Sequence, residues 1–275
     1  MITIKEITAG FVFFLLTQNL WAQEIVQLPW QQRDRKDMRP LDYEYQREAD
    51  VFWSKNIWRI IDTRQKMNKP FAYPSKPLIQ IIQEAALRGE IKVYDPAVES
   101  ADQFKRVMDI AEVAHIGVKR DTVIQVNVLN PDKEDTVVVN NELAYYRITK
   151  YRVKEVWFFD TKTSSMQVRI LGIAPVMEDY DDKGNYRGDM TMYWVYFPDL
   201  RNILARQEVF NPQNDWQHIS WDDLFAMRLF ESYIYKESNV YDRNIQEYAS
   251  GTDALLESDR IKQKIFETEH DLWEY

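Results

Sequence analysis

From about residue 120 the hydrophobic period of this chain becomes two. "TVIQVNVL", "YRVKEVWFFD", "MQVRILGIAPV" and "MTMYWVYF" follow one another, separated by turn-forming stretches such as "NPDKED", "TKTSS" and "EDYDDKGNYRGD". Runs rich in β-branched and aromatic residues with turns this short between them predict consecutive antiparallel strands, a meander. In the last run Met190, Met192, Trp194 and Tyr196 alternate with Thr191, Tyr193, Val195 and Phe197. Both faces are apolar or aromatic, so this strand is expected to be covered on both sides or to lie at an interface.

The flanks read as helices. Trp53, Ile57, Ile60 and Ile61 share one arc at 100° per residue, with Lys55, Arg59, Asp62 and Lys66 opposite. That spacing predicts a helix from about Asp42, ended by Pro70, Pro74 and Pro77. "PLIQIIQEAALRGE" predicts a second, with Leu78, Ile81, Ile82 and Ala85 inward and Gly89 as its stop. "IKVYDP" reads as a short strand. Residues 101–115, Trp221 to about Lys236, and Asp253 to about Trp273 also read as helical. The predicted class is α+β, an antiparallel β-meander flanked by N-terminal and C-terminal helices. The expected organisation is a signal peptide over 1–22, an extended N-terminal arm over 23–40, and a single α+β domain over 41–275. A helical subdomain over 41–115 is the alternative division.

The signal reading comes from Lys5, the apolar run "AGFVFFLL" and a cleavage point after Ala22 in "LWAQ". The run is too short to cross a membrane, which takes about 20 apolar residues. An exported chain with no Cys must be stabilised by packing without disulfides, and it has no lipid-modified cysteine of its own. A net charge of −9 with pI near 5.0 argues against a general nucleic-acid binder.

Catalytic and metal chemistry find little support. His115, His218 and His270 stand far apart, with no ligand-spaced pair among them. The acidic turn from Asp179 places Lys183 and Met190 where a calcium loop needs ligands, so it reads as a hairpin turn. There is no serine elbow and no Gly-rich phosphate loop. Asp222-Asp223 could serve glycosidic chemistry, but "WDDLF" reads better as a helix N-terminus carrying favourable negative charge. The residues nominate no catalytic centre, cofactor or metal site. A carboxylate-based glycan-acting protein, or a carbohydrate-binding module using exposed Trp and Tyr, remains the alternative class.

What stands out instead is "WSKNIWRIIDTRQKMNKPF", with two tryptophans among five basic residues. Phe52, Lys55, Trp58 and Arg59 are the candidate protein-interaction residues, aromatic and basic groups in the mixture that recurs at interface hot spots. Charge is uneven along the chain as well. Trp30 to Lys76 carries a net +4 and Glu231 to Tyr275 a net −6, which would let opposite parts of neighbouring subunits attract.

The run from Gln46 to Pro74 resembles the hallmark segment of the GldN/PorN family. Its elements stand here as Arg-Glu-Ala-Asp (47–50), Trp-Ser-Lys (53–55), Ile-Trp-Arg-x-Ile-Asp (57–62) and Lys-x-Asn-x-Pro (66–70). The similarity runs on through "PLIQIIQEAALRGEIKVYD" and the aromatic strands. The resemblance implies a non-enzymatic periplasmic component of the gliding-motility and type IX secretion apparatus. It further implies association with an outer-membrane lipoprotein, GldK/PorK, in large rings beneath the outer membrane, linked to the motor proteins GldL and GldM. No catalytic residues come with the family.

Overall fold

The structure, a computed structural model, describes residues 38–97, 104–117, 120–126, 134–140, 143–181, 183–211 and 218–273. The predicted signal peptide and the arm up to residue 37 lie outside these residues. Asp37–Tyr275 forms one compact unit.

Its elements run β1 (Val51–Asp62), α1 (Leu78–Leu87), β2 (Val93–Tyr94), α2 (Ile110–His115), β3 (Arg120–Val126) and β4 (Glu134–Asn140). Then come β5 (Ile148–Asp160), β6 (Ser165–Tyr180), β7 (Tyr186–Thr191), β8 (Trp194–Tyr196), α3 (Phe197–Leu204), α4 (Trp221–Ala226), β9 (Tyr233–Glu237) and α5 (Thr252–Trp273). Seven strands make one antiparallel sheet in the order β2-β8-β6-β5-β1-β9, with β7 also paired to β6. β3 and β4 form a separate two-stranded ladder. The class is α+β, as expected.

The segment expected to be the first helix is a strand. β1 sits between β5 and β9 near one end of the sheet, so residues 41–115 are not a helical subdomain. Both faces of β1 are covered: Ile57 and Ile61 pack on one side, Trp58 and Ile60 on the other. Apolar residues on both faces erase the alternation that reveals a strand, and what remains matches a helical arc by coincidence. The aromatic and β-branched content then decides for the pleat. Helical backbone flanks the strand, as short 3₁₀ turns over Glu48–Asp50 before it and Lys66–Ala72 after it.

Three other expectations need correction. The helix expected over 101–115 is confined to Ile110–His115, started by an Asp109–Glu112 capping box; residues 101–103 lie outside the described set. The helix expected from Trp221 to Lys236 ends at Ala226. Arg228 takes a left-handed backbone (φ 54°), and the alternating "YIYKE" becomes β9. "MTMYWVYF" is split: the chain advances four residues, Thr191 to Val195, while β6 advances three, Val176 to Ile173. The extra residue is a bulge at Met192–Tyr193, and it divides β7 from β8. The covered character holds for the second part of the run, where Met192, Tyr193, Trp194, Val195 and Phe197 are buried, while Met190 is exposed.

α1, α3 and α4 cover one side of the sheet. The main core there joins Ile61, Tyr151, Val153 and Ile173 from the sheet to Leu78, Ile82, Leu200, Trp221 and Phe225. α1 buries the face expected of it, and Gly89 follows its end at φ +70°. α5 closes a second cluster with Ile261 and Ile265 against Ile57 and Ile234, flanked by Trp53 and Trp157. A third cluster gathers Trp58, Ala174 and Trp194 with Phe104 and Tyr235 beside them.

Candidate interaction surface

The four predicted interaction residues separate by the alternation of β1. Phe52, beside the bulge that opens the strand, is 71% exposed. Lys55 is engaged across the sheet, its Nζ 2.6 Å from Glu237 Oε2. Trp58 is only 4% exposed, lying beneath the ammonium groups of Lys236 and Lys154 at 5.0 and 5.6 Å from its ring. Arg59, 7% exposed, donates from Nε to Ser232 Oγ and from Nη2 to the Ser232 carbonyl. The monomer does not present these residues as one surface. Trp58 and Arg59 belong to the interior.

Arg59 is part of a buried charge group. Glu155, with no exposed surface, accepts from Trp157 Nε1 and lies 2.9 Å from Arg228 Nη2. Burial lowers the Arg59 pKa from its ordinary value, Glu155 opposes that, and Arg228 adds to it. Two cations around one carboxylate balance a buried charge that would be expensive alone, with Glu155 Oε2 taking the hydrogen bonds from Trp157 and Arg228. Arg228 takes the left-handed position of the cap that ends α4, its amide and that of Leu229 bonding back to the Phe225 and Leu224 carbonyls, and from there its guanidinium reaches Glu155.

Asn68 of the hallmark segment is wholly buried and acts as a staple. Its amide nitrogen lies within hydrogen-bond distance of the Asp62 carbonyl, the Gln65 Oε1 and the Glu231 carbonyl, and its oxygen accepts from the Glu231 amide. It ties the end of β1 to the segment leading into β9. A second polar tie sits at α3. Arg201 forms a two-pronged ion pair with Asp222 at 2.8 and 3.0 Å and donates to the Leu41 carbonyl. Arg201 also lies over the ring of Tyr43, and Arg169 donates to the Glu44 carbonyl. These ties hold residues 41–44 along the domain.

The carboxylates considered for glycan chemistry are thus committed to structure. Asp222 gives both oxygens to Arg201, and Asp223 pairs with Ser220 in the capping box that starts α4. The acidic turn after β6 is closed by Asp181, which accepts from the amides of Lys183 and Asn185, with Gly184 at φ +81°. Of the histidines, His218 pairs with Glu208. Among the described residues no group of three or more His, Asp or Glu is placed to hold a metal ion.

What the described surface does offer is aromatic and basic. Tyr73 and Phe210 stack face to face, centroids 4.4 Å apart and planes 2° from parallel. They line an open groove of about 450 Å³ with Pro70, Pro74, Tyr146, Lys69 and Arg64. Tyr146 is 85% exposed. From Thr63 to Lys76 the chain carries four cations and no carboxylate, and only Arg64 of these is paired with carboxylates, Asp62 and Glu178. The groove lies at the far end of β1 from the predicted quartet. The uneven charge along the chain points to this basic stretch, whereas the strand assignment is needed to see which of its side chains face outward.

No curated protein matches this chain. The family model described as gliding motility associated protein GldN matches residues 46–274, beginning at the hallmark segment whose side chains form β1 and the Asn68 staple, and the chain belongs to that family.

Proposed function

We propose that this chain is a non-enzymatic, periplasmic structural subunit that assembles with the outer-membrane lipoprotein GldK/PorK and with copies of itself into a large ring-like complex supporting protein secretion. Family membership makes it a component of the gliding-motility and type IX secretion apparatus, and that membership is the observation that carries the reading. The motor proteins GldL and GldM are the further partners in this reading. Two structural features support it. Buried polar groups that could have served chemistry are consumed in ties between elements, and the exposed groove is lined by aromatic and basic side chains of the kind that recognise proteins. Among the described residues no helix is long and apolar enough to cross a membrane, so attachment to the outer membrane would run through the lipoprotein. Of the predicted quartet, Phe52 is the residue we assign to a partner surface, and Lys55, Trp58 and Arg59 to holding the fold.

The test is made in cells. Affinity purification of the chain from solubilised envelope should bring down the lipoprotein in a complex far larger than either protein. A deletion strain should stop secreting proteins that bear a type IX signal. Normal secretion by the deletion strain, or a chain recovered as a monomer without the lipoprotein, would refute the proposal.

A further inference from the structure

The basic groove and the acidic end of α5 lie at opposite ends of β1. At one end, past Asp62, is the basic aromatic groove of Lys69, Tyr73, Tyr146 and Phe210. At the other end the C-terminal half of α5 crosses the start of the strand, where Ile261, Ile265 and Thr268 border a cleft with Trp53 and Lys55. Ten residues separate Trp53 from Thr63, roughly 33 Å of extended chain, so the two surfaces of one molecule cannot meet.

Each surface has what the other lacks. After Lys264 the sequence contains no Lys or Arg, while Glu267, Glu269 and Asp271 follow in quick succession. Phe266 projects among them and is 61% exposed. Carboxylates at a helix C-terminus are opposed by the helix dipole, so this cluster is locally unfavourable and would gain from an approaching cation. Lys69 on the groove and Lys66, three residues before it in the chain, are exposed, and neither forms an ion pair among the described residues. The groove walls are aromatic and proline-rich, open, and wide enough for one more ring.

We propose that the acidic end of α5 of one copy docks in the basic aromatic groove of the next, with Phe266 entering beside Tyr146 and the Tyr73–Phe210 stack and with Glu267 and Asp271 facing Lys66 and Lys69. The partner is a second copy of this chain. This rests on the structural-subunit reading and adds its surfaces. Because the two patches differ, the contact is head-to-tail: each copy bound leaves one free patch at either end, so assembly propagates until it closes into a ring or continues as a filament. An apolar anchor rimmed by charge also makes association salt-sensitive.

The absence of cysteine makes a direct test available. The full-length variant carrying both Ser75→Cys and His270→Cys, exposed positions beside the groove and beside Phe266 that leave the proposed contacts in place, is treated with a short bismaleimide, both purified and in cells. A ladder of products beyond dimer is expected from the double variant, and no more than dimer from either single one. Monomer alone from the double variant, in both settings, overturns the proposal. Charge reversal supplies the second arm. Lys66→Glu with Lys69→Glu, or Glu267→Lys with Asp271→Lys, should weaken self-association at least tenfold without moving the melting temperature. All four changes together should restore it. Failure of the fourfold variant to recover, with its melting temperature unchanged, also overturns the proposal. If the lipoprotein still co-purifies when no ladder forms, this inference alone has failed. If a ladder forms without the lipoprotein, the broader reading has failed and the self-contact stands.

Discussion

Removing the Asn68 amide would leave the Glu231 amide and the carbonyls of Glu231 and Asp62 without their partner in a site that water does not reach. Each buried group left unsatisfied costs on the order of 1–3 kcal/mol, so Asn68→Ala should lose roughly 3 kcal/mol or more in urea unfolding. Asn68→Asp should be no better, because it keeps an acceptor for the Glu231 amide but cannot donate to the two carbonyls. A loss below about 1 kcal/mol for either would mean that the staple is not a structural tie. Asp189 makes a residue-scale prediction about pH. Burial pushes its carboxyl up, but hydrogen bonds from Lys150 and Tyr186 outweigh this and leave its pKa below the ordinary carboxylate value. A depressed folded-state pKa contributes stability that is complete above the unfolded value, near pH 4, and is lost as pH falls through the folded one. Thermal melts from pH 6 to pH 2 should show this acid loss, and Asp189→Asn should make the decline shallower. An identical slope in the variant would exclude Asp189 as a contributor.

At the scale of elements, β6 and the loop that carries Phe104 fit closely. A methyl group at Gly172 would stand 2.5 Å from Phe104 Cζ and 3.3 Å from Trp194 Cε3, so Gly172→Ala must displace the phenyl ring. Phe104 touches Tyr94, Trp194 and Tyr196 edge-on and lies beside Lys154, and those contacts would shift with it. A cost of about 1–3 kcal/mol is expected, and in a Phe104→Ala background most of it should vanish. Equal costs in the two backgrounds would place the strain elsewhere. The same elements show what could be read from the sequence. α1, β5, β6 and α5 were legible because each has one covered face, or an alternation bounded by clear turn residues. β1 was not, because its two covered faces make it apolar in almost every register. The reach of α4 was overestimated because its C-terminal cap places Arg228 in the left-handed position, and the sequence has no Gly or Asn there to mark the stop. The burial of Trp58 and Arg59 was not legible for the related reason that, as a helix, the segment puts Trp58 near the apolar arc's edge and Arg59 on the polar side. The uneven charge was legible without any structure, since it depends only on order along the chain.

For the whole molecule, β1 is the element on which the three clusters meet. Ile61 belongs to the main core under α1 and α3, Ile57 to the cluster under α5, and Trp58 to the one on the other face of the sheet. A strand paired to β5 along nearly its whole length, and to β9 over Ile57–Ile60, cannot leave one cluster without disturbing the others. The clusters should therefore unfold together, despite a size at which separate transitions are common. Ile57→Ala tests this most directly, because Ile57 is fully buried in the cluster under α5 yet is paired within the shared sheet. Deleting its side chain should cost about 2–5 kcal/mol, through lost burial and the cavity left behind. In a domain of this size that lowers the melting temperature by roughly 2–4 °C per kcal/mol. The coupling appears in how the loss is distributed. Near-ultraviolet circular dichroism, dominated by the buried Trp and Tyr of the main core and the opposite face, should shift by the same amount as the far-ultraviolet signal. A variant that loses α5 first, with helical signal falling well before the aromatic signal, would show that the C-terminal helix is a separate folding unit. In that case the sheet, and not β1 as a common support, would have to be the basis of stability.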